Sequence, residues 1–228
     1  MTTNEVIDIL TESVLFRGCD AEEIWELVRN SGTLRKYEQG EFIFAEEDAP
    51  DRIRMLISGA LLVAKDTVSG KRMILTKIDE PGDLFGEIYP FIGLTHYDMY
   101  VEALKDSRVL SISLEPFRMT GNAAHDRMAQ RLQGNLLSVV ARKAYQMNRR
   151  FRVVGSPGIR GKIARLLVDL QKAGNRIRVM PREEMADYLT VSRPALSREL
   201  GNMVREGILK IDGRDLVILD QEALEEYL

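Results

Sequence analysis

The spacing of hydrophobic positions changes twice along the chain. Residues 21–30 place Ile24, Leu27 and Val28 on one helical face after Asp20, a residue type that caps helix N-termini. Between residues 33 and 113 the pattern becomes a series of short β-prone runs separated by turn signals. The runs are 41–44, 54–57, 60–63 and 72–75, and the turns are Gln39-Gly40, Ser58-Gly59, Ser69-Gly70 and Pro81-Gly82. This texture predicts an antiparallel β-roll of about 80 residues.

A long helix is predicted between residues 125 and 153, where the chain has no proline and a single glycine. Spacings of three and four residues alternate along a heptad seam, which favours a second helix as partner. The seam consists of Leu137, Val140, Ala144, Met147 and Phe151, and a second apolar line consists of Met128, Leu132, Leu136 and Val139. One line can face the β-roll and the other a second subunit; alternatively, both pack within one chain.

Glycine and proline at Gly155-Ser156-Pro157-Gly158 end this helix and predict a hinge. The sequence therefore predicts an α+β protein in three segments: an N-terminal β-roll domain at 1–124, a long helix at 125–154 and a C-terminal domain at 155–228. In the last segment a helix with an apolar stripe from Ile163 to Leu170 precedes a short strand at 176–180.

Residues 182–200 read as helix, tight turn and helix. Met185, Ala186 and Leu189 face inward from the first helix, and Leu196, Leu200, Met203 and Val204 do so from the second. Ser192 is the expected N-cap, and Pro194 is tolerated in the first helical turn because its missing N–H would have no partner there. Strand runs at 208–211 and 216–219 flank Asp212-Gly213, a strong hairpin signal, and predict a wing.

Arg193, Ser197 and Arg198 point away from the core near the start of the second helix, which is the end that reaches base edges in a major groove. An arginine can donate two hydrogen bonds to guanine, and a serine hydroxyl can contact a phosphate or a base edge. The predicted DNA-binding set is completed by Ser192, Pro194 and Arg182. A helical unit of this kind also occurs without DNA, and that alternative stays open.

Positive and negative residues are unevenly distributed along the chain, although the net charge is only −3. Residues 1–125 hold 13 Lys/Arg against 22 Asp/Glu, residues 126–210 hold 18 against 7, and residues 211–228 hold 1 against 6. A basic block between acidic flanks is expected when one part of a protein meets phosphate. Solvated arginine-rich helix faces are the alternative explanation.

Composition indicates where the protein acts in the cell and which metal or cofactor sites it lacks the ligands for. No apolar run approaches the roughly 20 residues that span a bilayer, and no secretory signal is visible, so we expect a cytoplasmic protein without a membrane partner. The single cysteine, Cys19, cannot form an internal disulfide or supply a Cys-ligated zinc or iron–sulfur site. It is expected to be a buried small side chain, with a redox-sensing thiol as the alternative. His96 and His125 lack neighbours at ligand spacing, so no haem or metal is predicted.

These motifs together resemble the Crp/Fnr superfamily of bacterial transcription regulators. The resemblance rests on residues 81–87 (PGDLFGE), the long helix, residues 161–167 (GKIARLL) and the stretch from Ser192-Arg193 to Ser197-Arg198. It implies a homodimer that binds palindromic double-stranded DNA, responds to an effector in a cyclic-nucleotide-binding-like β-roll and contacts RNA polymerase. On this reading residues 1–124 are the sensor domain, residues 125–154 the dimerisation helix and residues 155–228 the winged helix-turn-helix DNA-binding domain.

The chain departs from this family at two places. Cyclic-nucleotide binders follow Gly-Glu with an Arg-Ser pair that holds the phosphate; here Gly86-Glu87 is present, but Tyr97-Asp98 stands at the aligned pair. Because an aspartate repels a phosphate, we expect no cyclic AMP binding and leave the effector unidentified, with these four residues as pocket candidates. Glu87 is expected to serve as a structural hydrogen-bond acceptor.

At the second place, Pro194 replaces the glutamate that many relatives use to read cytosine, so an atypical half-site is predicted.

Two other functions remain to be separated from DNA-binding regulation. One is a ligand-binding or protein-interaction module without DNA. The other is a jelly-roll metal enzyme, which we do not expect because clustered histidine and glutamate ligands are missing from the sequence.

Overall fold

Two compact units make up the chain, and the boundary between them falls inside the long helix. The structure is a computed structural model that describes residues 3–66, 72–171 and 174–228, so the predicted turn at Ser69-Gly70 lies outside the described residues. The units are Met1–Ala141 and Arg142–Leu228, and each has its own hydrophobic core. The division into three segments, at 124 and 154, stays a prediction.

The first unit begins with two helices, α1 (Thr3–Glu12) and α2 (Ala21–Ser31), separated by a 3₁₀ turn. The Asp20 carboxylate accepts a hydrogen bond from the Glu23 N–H at 2.8 Å, and the Glu23 carboxylate accepts one from the Asp20 N–H at 3.0 Å. This reciprocal capping box satisfies two amide donors at the start of α2. The predicted helix and its N-cap are confirmed, and Ile24 and Leu27 lie buried on its inner face.

An antiparallel sheet of six strands follows. The strands are β1 (Gly32–Tyr37), β2 (Phe42–Phe44), β3 (Arg52–Asp66), β4 (Arg72–Ile78), β5 (Leu84–Phe85) and β6 (Tyr100–Ser113). The main order is β1-β6-β3-β4, with β2 paired to β6 and β5 paired to β3. The two longest strands, β3 and β6, therefore pair at the centre of the sheet, as expected for an antiparallel β-rich domain.

The predicted turn at Ser58-Gly59 is wrong, because these residues lie inside β3. The register against β6 shifts between Leu56 and Ser58 and again beyond it, which marks β-bulges. Gly59 has a φ of +111°, and a Cβ there would lie 2.1 Å from the Ser107 Oγ. The glycine therefore allows close backbone approach within one continuous strand, and the runs predicted at 54–57 and 60–63 are two parts of it.

A single helix, α3 (Ala123–Val154), leaves the sheet. Leu132 and Leu136 are buried in the core of the first unit, and Met128 and Val139 pack against it, so the second apolar line faces its own unit as predicted. Leu137, Met147 and Phe151 of the heptad seam are instead 69%, 59% and 68% exposed. Within the described ranges, none of the helices is long and apolar enough to cross a membrane.

The second unit packs helices against a small antiparallel sheet. Its elements are α4 (Gly158–Leu170), β7 (Arg176–Arg178), α5 (Arg182–Leu189), α6 (Arg193–Arg205), β8 (Leu209–Asp212), β9 (Asp215–Ile218) and α7 (Gln221–Glu225), with strand order β7-β9-β8. Asp212 pairs with Asp215, and Gly213 takes a φ of +63° between them, which confirms the predicted hairpin. The predicted strand at 176–180 is shorter than expected and ends at Arg178.

Candidate nucleic-acid interface and sensor pocket

A tight turn joins α5 to α6 and sets the position of the outer helix. Thr190 adopts a left-handed conformation with a φ of +56°, and its N–H bonds back to carbonyls of α5. The Ser192 hydroxyl accepts a hydrogen bond from the Ala195 N–H at 3.4 Å, so Ser192 is the N-cap of α6 as predicted. Apolar side chains of both helices meet in a buried core that includes Met185, Ala186, Leu189, Leu196, Leu200 and Met203. The inward position predicted for Val204 is wrong, because this side chain lies exposed near the end of α6.

The start of α6 presents the predicted reading residues to solvent. The side chains at the start of α6 that lie exposed are Ser192, Arg193, Pro194, Ser197 and Arg198. Arg193 lies at the helix start and its guanidinium is 3.3 Å from a Glu183 carboxylate oxygen, an exposed pair that contributes little to stability. Exposed arginines beside a helix N-terminus can donate to phosphates and to base edges.

Arg182 differs from the other predicted DNA-binding residues. Its side chain is only partly exposed, its Nη1 lies 3.7 Å from the Met185 Sδ, and burial lowers the pKa of its guanidinium. An arginine held against the core has less freedom to reach a phosphate. Its role in DNA binding stays a prediction.

The wing carries its own ion pairs. Arg176 of β7 donates to the Asp215 carboxylate at 2.8 Å and also contacts Asp212, while Arg178 donates to Asp215 at 2.9 Å. The hydrogen bond from Arg178 holds the pKa of Asp215 below its usual value. Arg214 is exposed in the two-residue loop of this hairpin. Arg214 is a further candidate DNA contact that was not predicted from the sequence, although a basic residue at a hairpin tip indicates one.

Tyr97, one of the four residues predicted to line an effector pocket, is packed among aromatic side chains. The Tyr97 ring is 1% exposed and stacks on Phe44 with ring centroids 3.8 Å apart. The Tyr97 hydroxyl accepts a hydrogen bond from the Arg54 Nη1 at 2.7 Å, and the Arg54 guanidinium also lies over the Phe44 ring. Stacking, a cation–π contact and a charge-assisted hydrogen bond therefore hold Tyr97 in place.

The four pocket candidates take different positions around this cluster. Gly86 has a φ of +66°, and a Cβ there would lie 3.2 Å from the Tyr97 ring and 3.3 Å from Phe44, so glycine makes room for the rings. Glu87 is buried at 3% exposure, and its role as a structural acceptor stays a prediction. Asp98 is exposed, accepting hydrogen bonds from Tyr89 and, at 2.9 Å, from Lys65. These bonds lower the pKa of Asp98, the Tyr89 bond most strongly.

Two arginines on neighbouring strands bind tyrosine side chains of the first unit, and neither was predicted as a site residue from the sequence. Arg54 of β3 bonds Tyr97, and Arg72 of β4 bonds the Tyr100 hydroxyl at 2.8 Å and Glu102 at 2.5 Å. Strand pairing brings these two arginines to Tyr97 and Tyr100 from positions 43 and 28 residues away in the sequence. Both guanidiniums are already bound to side chains of the protein.

Cys19 and the histidines lie in settings that favour structural roles. Cys19 is 8% exposed, its Sγ lies 3.7 Å from the Met128 Sδ, and burial raises the pKa of its thiol. His96 contacts the Thr95 hydroxyl at 2.8 Å, and the His125 Nε2 lies 2.9 Å from the Arg118 carbonyl. In the part of the chain that the structure describes, no group of three or more His, Cys, Asp or Glu side chains could hold a metal ion.

We expect Cys19 to react slowly with iodoacetamide in the native protein, because a buried thiol with a raised pKa forms little of the reactive thiolate. Mass spectrometry should show a modification rate at least about tenfold below that of the urea-unfolded protein. Equal rates in both states would reopen the redox-sensing alternative.

Comparison with known proteins matches each unit to a domain family. Residues 161–227 match the family model of the Crp-like helix-turn-helix domain, and residues 34–120 match that of the cyclic nucleotide-binding domain. The CRP-like cAMP-activated global transcriptional regulator of Mycobacterium tuberculosis is 24% identical over 228 residues, covering 95% of this chain and 97% of the relative.

Solved structures show the same fold. The global regulator CLP of Xanthomonas campestris, described as c-di-GMP responsive, aligns with a TM-score of 0.57 at 20% identity, covering 88% of this chain and all of that one. The catabolite activator protein of Thermus thermophilus aligns with a TM-score of 0.51 at 24% identity, covering 94% and 98%. With both domain types present and a Crp-like regulator matched over nearly its whole length, the chain belongs to the Crp/Fnr superfamily of transcription regulators.

Proposed function

We propose that this chain acts as a homodimer that places two copies of α6 in successive major grooves of a palindromic DNA site. As a Crp/Fnr superfamily member it is a DNA-binding transcription regulator whose effector is unspecified. The observation that carries the proposal is the exposed start of α6, where Arg193, Ser197 and Arg198 stand clear of the core. Two recognition helices must lie about 34 Å apart to enter successive grooves.

The exposed heptad seam supports the homodimer. Leu137, Met147 and Phe151 are apolar and more than half exposed on a helix whose other apolar line packs against the core of the first unit. Large apolar side chains at heptad spacing are stabilised when a second helix covers them. A second copy of α3 supplies a partner with the same seam, as a two-fold symmetric interface requires.

For the sensor unit we propose an effector other than cyclic AMP. The Mycobacterium tuberculosis relative is named as cAMP-activated, and residues 34–120 of this chain match the cyclic nucleotide-binding domain model. Here, however, Tyr97 stands where the family's phosphate-binding pair is expected, and its ring and Arg54 form a closed aromatic cluster. Asp98 adds a negative charge beside it. Isothermal titration of the full chain with cyclic AMP should give no heat of binding, and a measurable affinity would contradict this proposal.

Selection from a pool of random duplexes tests the DNA-binding proposal directly. We expect enrichment of a palindrome with two half-sites about one helical turn apart, and binding that weakens steeply as salt concentration rises. The half-site should differ from common family motifs at the base pair that faces Pro194. A pool without enrichment would favour an interaction module.

We place the protein in the cytoplasm with DNA and RNA polymerase as partners, and we propose no enzymatic activity.

Replacing Arg198 with alanine should cost about 1–3 kcal/mol on the enriched site and relax the preference at one base pair, because a bidentate contact to guanine is lost. Fluorescence anisotropy with the enriched duplex and its single-base variants measures both effects. Arg214→Ala at the hairpin tip is the matched control, expected to weaken all duplexes about equally. An unchanged base preference in Arg198→Ala would remove the reading role from Arg198.

A further inference from the structure

We infer that Arg160 is a positioning residue that holds α6 in its DNA-reading orientation, an inference that rests on the proposed DNA-binding function. Arg160 lies in the first turn of α4, and its side chain is 21% exposed. Its guanidinium bonds Glu199 and Glu206 of α6 and its C-cap, and Tyr227 beyond α7. One side chain therefore joins three parts of the second unit.

The contacts use nearly the whole guanidinium. Its Nε donates to the Glu199 Oε1 at 2.5 Å, and Nη1 and Nη2 donate to the two Glu206 carboxylate oxygens at 2.6 and 2.9 Å. Nη1 also lies 3.1 Å from the Tyr227 hydroxyl, and the guanidinium lies over that ring. The hydrogen bond from Arg160 lowers the pKa of Glu206. A planar fork that binds two carboxylates at once is available to arginine and not to lysine.

The positions of the two glutamates explain what this contact controls. Glu199 directly follows Arg198, and Glu206 is the C-cap residue, so Arg160 holds α6 beside its reading residue and at its end. Seven residues of helix separate these points, about 10 Å along the axis. Apolar packing through Leu200 and Met203 is non-directional, whereas charge-assisted hydrogen bonds have fixed geometry. The Arg160 contacts therefore restrain rotation and tilt of α6.

Arg160 itself is unsuited to binding DNA phosphate. Its single positive charge faces two carboxylates, Glu199 and Glu206, so this cluster is net negative. Loss of Arg160 should therefore act through the orientation of α6 and leave the number of phosphate contacts unchanged.

The test compares the full chain and its variants on two duplexes, the palindrome that the wild type enriches and a scrambled sequence. Arg160→Met should lower the specific-to-nonspecific affinity ratio roughly fivefold to tenfold, the size of couplings within one ion-pair network. Glu199→Met should have a similar effect, and the double variant should lose less than the product of the two. Arg160→Lys should rescue part of the ratio. Arg165→Met is the matched control on α4, since Arg165 donates to the Leu228 backbone oxygen, and should keep the ratio.

Two results would overturn the inference. An equal loss on both duplexes with a reduced salt dependence would make Arg160 a phosphate contact. An unchanged ratio with a lower unfolding temperature would make it a scaffold residue. If the wild type enriches no duplex, the proposed function fails instead, and amide hydrogen exchange then decides: Arg160→Met should lose protection between residues 197 and 206, and unchanged protection would refute the positioning role.

Discussion

Leu137→Glu should convert the proposed homodimer to monomers and lower affinity for the proposed palindromic site at least about 100-fold, because two linked half-site contacts become one. Leu137 is 69% exposed on α3, so the change leaves the core of the chain intact. In a two-fold symmetric pair of helices, however, the new carboxylates would lie in an apolar seam and repel each other. Light scattering after size-exclusion chromatography gives the mass, and anisotropy gives the affinity.

Tyr145→Glu is the matched control for this prediction. Tyr145 is also large, apolar and exposed on α3, at 62%, but it falls outside the heptad seam. We expect this variant to remain dimeric and to bind the palindrome within about threefold of the wild type. Dimers of Leu137→Glu at micromolar concentration would show that the two copies associate through a different surface.

Tyr97→Ala should reduce the free energy of unfolding of the first unit by about 3–5 kcal/mol, the usual cost of deleting a buried aromatic side chain. The ring is 1% exposed between Phe44 and Tyr89, and its removal also leaves the Arg54 guanidinium without the hydroxyl that it binds. Trp25, the single tryptophan, lies in α2 of the same unit, so its fluorescence during urea unfolding reports that unit separately.

Two further variants separate packing from hydrogen bonding at Tyr97. Tyr97→Phe keeps the stacked ring and loses only the bond to Arg54, and should cost about 1–2 kcal/mol. His96→Ala, the exposed neighbour, should be close to neutral, within about 0.5 kcal/mol. A Tyr97→Ala curve that overlays the wild type would mean that the aromatic cluster does not stabilise the unit.

Local signals predicted the second unit well because they act over a few residues. Ser192 caps α6, Asp212-Gly213 turns the hairpin, and the spacing of Leu196 and Leu200 places Arg198 outward. Each of these depends on backbone geometry or helical period, which neighbouring residues set. The capping box at Asp20 is of the same kind.

The features that were not predicted from the sequence depend on contacts between residues far apart in the chain. Ser58-Gly59 has the composition of a turn, yet β6 pairs with β3 from Arg52 to Ala64, on both sides of it, and the glycine accommodates Ser107. The Arg54–Tyr97 contact joins residues 43 positions apart, and the Arg160–Glu199 pair joins residues 39 positions apart. No local pattern specifies which arginine meets which partner, because that depends on strand register and helix packing.

By itself, the sequence determined the β-roll, the long helix, the winged helix-turn-helix and the outward face of α6, since hydrophobic period, caps and turn residues specify elements locally. It also indicated that the residues at Tyr97-Asp98 differ from a phosphate-binding pair. Only the tertiary structure decided that Tyr97 is part of a closed cluster with Phe44 and Arg54, and that Arg160 holds α6. Both depend on side chains brought together from distant segments, where packing and directional hydrogen bonds choose the partners.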